Sequence, residues 1–444
     1  MIERVLDAAR GRAEAADALW HRVERTEIAI ESGRLKAAGG SEGTGINLRV
    51  VCGGRVGVAG TTAEDVAGLV ARAIASAELG EAVPLVLPGP APSPAVATRD
   101  RGAAEASLEA LIGIGRGLAD RLARDGCQVN VSVERALAET VFVNTAGAFG
   151  RYESSVVSVA GEVRRVAGND VLFVYELCSG VGLPSDAELD RLVQGVTTRL
   201  DLALTVVAPP AGTLPVVFTP EGLSVIVTPL EQALSGRSVL QGVSPLAGRI
   251  GERIAGPRFA ITDDPLLDRR PRSRPFDDEG VPSARLPLVA DGVVQAFVYD
   301  LETAARAGTR STGHGQRGTY TKPGIGYTNL IVGSPNGLAG SREPGAERRT
   351  LGGGLVAGVR DGLLVDDLIG VGQGNVLSGA FSHPVALAYR IRGGEVVGRV
   401  KEAAVAGNVY DLLTRIGGWG DDGRWLGSRW SPSLLLDGVS VARR

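Results

Sequence analysis

A chain of 444 residues with 44% apolar and 22% charged residues is too long for one ordinary core and too apolar to be disordered, so two or three domains are expected. A formal charge of −3 and a sequence pI near 5.9 give no electrostatic case for nucleic acid or an anionic membrane, because phosphate binding needs clustered Lys and Arg. Gly (63 residues) is abundant and aromatics (4%) are scarce, which predicts a core of Val, Leu, Ile and Ala joined by tight turns.

Residues 2 to 17 have helical composition, with Ile2, Val5, Leu6 and Ala9 on one stripe. From Ala18 to Gly60 the period changes to two, interrupted by Cys52-Gly53-Gly54, which predicts a meander. Thr62 followed by Asp65 predicts a capped helix start, and Val66, Leu69, Val70, Ala73, Ile74 and Ala77 continue one face. Five prolines between Val83 and Ala97 predict a surface connection and a subdomain break near 83–98.

A second round follows. Leu108, Leu111, Ile112, Leu118 and Leu122 mark a helix, three alternating segments run from Gln128 to Ser179, and Ser185 with Glu188 predicts a capping box ahead of a further helix. Pro209, Pro210 and Gly212 punctuate the chain. The expected fold is α+β: an N-terminal α+β domain over 1–210, whose two rounds of helix and meander are either a duplicated unit or a coincidence of pattern, then a β-rich barrel or sandwich domain over 211–444. Arg392 to Glu395 (RGGE) separates two alternating runs as a hairpin would.

The chemistry-bearing residues are sparse. A zinc hydrolase needs about three protein ligands and an open position, yet His21, His314 and His383 are far apart in sequence and no two lie one helical turn apart. His314 lies in GTRSTGHGQRG (Gly308 to Gly318), a cationic loop of small side chains that could bind a ligand. Asp277, Asp278 and Glu279 form an acidic turn, and their simplest partners are Arg269, Arg270, Arg272 and Arg274 just before them. Acid-base chemistry or Mg²⁺ binding by these carboxylates is the less favoured reading. Cys52, Cys127 and Cys178 form no CxxC unit and are expected to be buried reduced thiols in a cytoplasmic protein. The chain offers no apolar run of membrane-spanning length.

Two blocks carry a family resemblance. Pro275 to Gly315 is similar to the central signature of the TldD/PmbA family, the so-called modulators of DNA gyrase, and Asp361 to Leu413 resembles its C-terminal block, including Ala406-Gly407-Asn408. The resemblance implies a heteromeric zinc peptidase in which a TldD-type chain carries a His-Glu-x-x-x-His helix and a later Cys, while a TldE/PmbA-type chain completes the complex without metal. Here the helix position falls within Gly222 to Gly236, where Val225, Ile226, Val227, Thr228, Glu231 and Gln232 occupy the ligand neighbourhood and no His is present. No Cys follows Ala406. Gly248-Arg249-Ile250-Gly251 resembles an element of the metal-bearing chains.

By that resemblance this chain is expected to be a PmbA/TldE-like subunit with no metal or catalytic residue of its own. Its partner would be a TldD-like chain holding zinc, and its substrate unfolded or small peptides. Thr312, His314, Gln316 and Arg317 are the expected chamber-facing loop, with Asp277, Asp278 and Glu279 as a supporting turn. The alternative is a homo-oligomeric scaffold or binding protein, for which a homodimer would be expected.

Overall fold

The structure, a computed structural model, describes residues 1–333 and 350–443. Its first part comprises α1 (Ile2–Ala9), β1 (Ala15–Glu31), β2 (Arg34–Cys52), β3 (Arg55–Thr61), α2 (Val66–Glu78), α3 (Arg101–Glu105), α4 (Leu108–Leu122), β4 (Cys127–Asn144), β5 (Phe149–Ala167), β6 (Asp170–Gly180) and α5 (Asp186–Ala203). The six strands form one antiparallel sheet in the order β3-β2-β1-β4-β5-β6. Each half is a three-stranded meander flanked by helices, and the halves meet where β1 pairs with β4. The two rounds of helix and meander in the sequence thus form the two halves of one sheet.

Local chemistry sets the boundaries. The first helix is shorter than its composition suggests, because Gly11 takes a φ of +76° and Ala15 is already paired with Val51. Helix α2 is capped by Asp65, whose side chain accepts from the Gly68 amide at 2.9 Å, and not by Thr62. Ser185 and Glu188 form the expected reciprocal capping box at α5. The proline-rich stretch after α2 has no regular secondary structure.

Helices α4 and α5 pack Leu111, Leu118, Leu192, Val196 and Leu200 on Val131, Val133, Val159, Val163 and Val174 of the sheet. Helix α2 sets Leu69, Val70 and Ala73 against Ile46, Leu48 and Val50. The alternation of strand residues places one set in these layers and leaves the other for contacts elsewhere.

The second part contains β7 (Val206–Val207), β8 (Gly212–Phe218), α6 (Ser224–Ala233), α7 (Gly236–Leu240), β9 (Ala260–Asp263), β10 (Leu286–Ala290), β11 (Val293–Val294), α8 (Leu301–Ala307), β12 (Gly315–Gln316), β13 (Gly324–Ile325) and β14 (Leu330–Gly333). After these come β15 (Asp361–Leu368), β16 (Ala380–Arg392), β17 (Glu395–Val400), β18 (Ala403–Asn408), β19 (Ile416–Trp419), β20 (Arg424–Leu426), β21 (Arg429–Ser431) and β22 (Leu434–Arg443). Strands β15, β8, β22, β18 and β16 pair in sequence, and β16 returns to β15, so the barrel is closed. Closure removes the edges that an open sheet of this size would expose. The Arg392–Glu395 hairpin forms, with Gly393 and Gly394 at φ +62° and +84°.

Both faces of the barrel strands are buried, which explains their continuous apolar runs. Val216, Leu363, Val365 and Leu434 pack with α6, whereas Val217, Leu364, Leu387, Tyr389 and Ile391 join the core that holds α4 and α5. The three cysteines are free and half-buried, more accessible than their apolar flanks suggest. Among the described residues no helix is long and apolar enough to cross a membrane.

Candidate functional site

The acidic turn is the point at which three segments meet. Asp277 accepts from the amides of Glu279 and Val281, both at 2.9 Å, and of Gly315 at 2.7 Å. Asp278 accepts from the Arg317 amide at 2.9 Å, and Glu279 from the Leu301 amide at 2.7 Å. Asp277 and Asp278 thus fasten the Gly315–Arg317 segment, while Glu279 points away from it and holds the start of α8. Gly315 has to be glycine, because a Cβ there would lie 2.5 to 2.8 Å from the Glu279 side chain.

The counter-charges are not those expected from proximity in sequence. Only Arg274 approaches the turn, at 3.8 Å from Asp278. Arg269 pairs with Asp100, Arg270 lies over the Trp425 ring, and Arg272 donates to the Tyr327 carbonyl. The cations at the turn are Arg274, which acts on Asp277, and Arg49, which pairs with Glu279 and Asp17, while the Arg317 guanidinium reaches the other Asp17 oxygen at 2.6 Å. Asn47 completes the joint by donating to the carbonyls of Gly318, Thr319 and Thr321 at 3.0 to 3.1 Å.

This network is dry: Asp17 and Glu279 are 0% exposed, Arg49 2% and Arg317 5%. Burial alone would raise the Asp17 carboxyl, but Arg317 and Arg49 together hold it below the ordinary value. At Glu279 burial prevails, and with Asp277 and Asp300 nearby it pushes the carboxyl up to about 7 against the pull of Arg49. Burial also raises Asp277.

The loop containing His314 is therefore stitched down along most of its length. His314 is 1% exposed; its Nε2 lies 3.1 Å from Asp263 Oδ2, and its Nδ1 2.9 Å from both Thr312 Oγ1 and the Thr312 carbonyl. Thr312 in turn accepts from the Tyr299 amide at 2.8 Å. Of the four expected loop residues, His314 and Arg317 are enclosed, Thr312 is half-buried and Gln316 is exposed. His21 lies 3.1 Å from Thr319 at the far end of the same segment, and burial lowers its pKa. His383 stacks on Phe381 in β16. The three imidazoles do not converge.

Helix α6 lies where a zinc-binding helix is expected. Val225, Ile226, Val227, Pro229, Leu230 and Ala233 are buried in the barrel core, and Pro229 lies within the helix. Thr228 and Glu231 are half-buried and Gln232 is exposed. Burial raises the Glu231 carboxyl, and the Glu231 carbonyl accepts from the Tyr327 hydroxyl at 2.6 Å. Among the described residues no group of three or more His, Cys, Asp or Glu is placed to hold a metal ion. The Gly248–Gly251 element is an exposed turn, anchored by the Gly251 amide on the Val294 carbonyl at 2.8 Å.

Sequence reading missed a second buried network at the head of α6. Arg199 in α5 pairs with Glu176 of β6, with Asp366 of β15 at 3.2 Å and with Glu221 at 3.7 Å. Arg424 pairs with Glu221 and, at 3.3 Å, with Glu176, while Thr219 donates to Asp366 at 2.9 Å. Its members are scattered along the chain, and the only hint in the sequence is a charge placed inside an apolar strand or helix pattern.

Comparison with known proteins places the arrangement. Residues 211–443 match the PmbA/TldA metallopeptidase C-terminal domain, and residues 16–77 match PmbA/TldA metallopeptidase domain 1. The first match alone spans more than half of the chain. The chain belongs to the PmbA/TldD family.

Family relatives include a metalloprotease from Methanothermobacter thermautotrophicus, 28% identical over 65% of this chain and 61% of that protein. From Haemophilus influenzae, a TldD homolog is 31% identical over 48% of this chain and 42% of its own length, and a PmbA homolog 29% identical over 52% and 46%. The matches thus span about half the length of these curated relatives. Identity to the two branches is nearly equal, so it does not assign one. TldE from Thermococcus kodakarensis superposes with a TM-score of 0.87 at 23% identity, covering 99% of each chain. At that identity the likeness is one of fold.

Proposed function

We propose that this PmbA/TldD family member is a PmbA/TldE-like subunit that joins a metal-bearing TldD-like chain. Together they would enclose a chamber in which unfolded or small peptides are cleaved. The observation that carries this reading is the composition of α6: its inward positions are Val225, Ile226, Val227 and Leu230, and its one carboxylate, Glu231, has no histidine on the same helix. The residues present do not fit a zinc site: among the described residues no group of three or more His, Cys, Asp or Glu is placed to hold a metal ion, His314 is paired with Asp263, and no Cys follows Cys178.

In this reading zinc belongs to the partner, and this chain supplies walls and rigid support. Gln316 is the loop residue open to a peptide, Thr312 flanks it, and His314 and Arg317 hold the loop in shape together with Asp277, Asp278 and Glu279. A cytoplasmic setting is consistent with three cysteines left as free thiols.

The test is to co-express the chain with a TldD-like chain of the same organism and measure co-purification and cleavage of an unstructured peptide. A complex more active than the TldD-like chain alone supports the reading. Absence of a complex, or cleavage by this chain alone, overturns it.

A further inference from the structure

Strand β15 carries an extra residue opposite β16. Val365 pairs with Ala388 and Asp367 with Leu387, so Asp366 is the bulged residue and has no partner across that ladder. A bulge re-aims a side chain, and here it sets a carboxylate in the interior: Asp366 is buried, as are Leu363, Leu364 and Val365 before it. Both parts of the chain surround it. Arg199 of α5 and Glu176 of β6 come from the N-terminal part, while Thr219 and Glu221 ahead of α6 and Arg424 of β20 come from the second.

Three carboxylates meet two arginines at this point. Glu176 pairs with Arg199 and, at 3.3 Å, with Arg424, and Glu221 pairs with Arg424 and, at 3.7 Å, with Arg199. Asp366 pairs with Arg199 alone, at 3.2 Å, and shares that nitrogen with Glu221. An ionised carboxylate with so little counter-charge is costly away from water. The other groups around it do not make up the difference. Asp367 adds negative charge and accepts from the Leu368 amide at 2.8 Å, and Asp422, on the far side of Arg424, accepts from Ser433 at 2.7 and 2.8 Å. Arg429 lies between Glu221 and Glu231 and donates to the Pro220 carbonyl and Ser224. In β16 the Tyr389 hydroxyl donates to the Arg199 carbonyl at 2.8 Å, and Arg399 of β17 pairs with Asp170.

We propose that Asp366 keeps its proton in the folded chain at neutral pH and that this proton clasps the two parts of the chain together at the head of α6. The hydrogen bonds fit that assignment. Asp366 Oδ1 lies 2.9 Å from Thr219 Oγ1, which lies 3.3 Å from Glu221 Oε2. With Asp366 ionised, the Thr219 hydroxyl can donate to only one of the two carboxylates. With Asp366 protonated, its hydroxyl donates to Thr219, and Thr219 donates in turn to the ionised Glu221. Burial raises the Asp366 carboxyl, whereas at Glu221 burial is outweighed by Arg424 and Arg199, which hold the carboxyl below its ordinary value. Release of the proton to solvent leaves three negative charges on two arginines, and the joint between β6, α5 and the start of α6 loosens. The clasp does not depend on the proposed role of the chain as a metal-free subunit.

The test is amide hydrogen exchange of the full chain across a pH series, corrected for the intrinsic rate and read from Leu223 to Val227, where the Leu223 amide bonds to the Thr219 carbonyl at 2.9 Å. The closed joint holds the proton more tightly than the open one, so protection is full below the ordinary aspartate value. It falls by about tenfold per pH unit above that value, until the pKa of the closed joint is passed. Asp366→Asn is expected to remove this fall. One protonated-carboxyl infrared band at neutral pH is expected to vanish in Asp366→Asn and to remain in Glu279→Gln. Glu176→Gln, which keeps Asp366 but removes one negative charge, is expected to move the fall to lower pH. The proposal is overturned by a wild type whose protection does not fall, by an equal fall in Asp366→Asn, by a carboxyl band that survives that substitution, or by a fall that Glu176→Gln leaves in place.

Discussion

Asp17 in β1 and Arg317 in the loop after α8 are 300 positions apart in sequence, yet their side chains meet at 2.6 Å with no exposed surface. Arg49 binds the other side of the same carboxylate and extends to Glu279. The N-terminal sheet and the loops before the barrel are therefore locked at this point by a charge network, beside a small apolar seam in which Phe276 packs with Leu19, Phe142 and Tyr152. A buried network of this kind is costly to break from one side, because the remaining charge has no water to turn to.

Replacing Arg317 with Ala should therefore lower the unfolding free energy by about 3–5 kcal/mol. Urea denaturation of the variant checks this. The double variant with Asp17→Asn should lose less than the sum of the singles, because the two side chains share one interaction. Additive losses would show that the contact carries no coupling.

Gly315→Ala should destabilise by about 1–3 kcal/mol, because its Cβ would collide with Glu279 at 2.5 to 2.8 Å. Pairing it with Glu279→Ala removes the obstructing side chain, so the second change should cost less in the Gly315→Ala background than alone. Thermal unfolding of the four proteins decides this.

The pH dependence has a definite sign. Burial raises Glu279 to about 7 in the fold, so the folded state holds that proton more tightly than the unfolded chain. The resulting stability is full below the ordinary glutamate value and is lost as pH rises through about 7. Asp17 acts in the opposite sense: its folded value is lowered, so its contribution is present above the ordinary aspartate value and is lost as pH falls. Glu279→Gln should therefore gain in melting temperature relative to the wild type as pH is raised from about 5 to 8. Parallel melting curves across that range would contradict this assignment.

Much of the fold could be read from local patterns, since apolar period, capping residues and glycine turns act over a few residues. The capping box at Ser185, the hairpin at Arg392–Glu395 and the paired meanders are examples. The partners of Asp277, Asp278 and Glu279 were not legible. The neighbouring arginines Arg269, Arg270 and Arg272 are turned elsewhere, and Arg49 and Arg317 reach the turn only once the sheet is assembled. His314 reads as a loop histidine because nothing nearby in sequence announces Asp263 as its partner. The network around Arg199 was missed for the same reason.

The most direct measurement of the central claim is zinc bound per chain, by metal analysis of the protein purified alone and equilibrated with zinc at neutral pH. The account predicts no stoichiometric zinc, because α6 presents Val225, Ile226, Val227 and Leu230 where ligands would have to stand. One tightly held zinc per chain, removed by a chelator together with a peptidase activity, would contradict it.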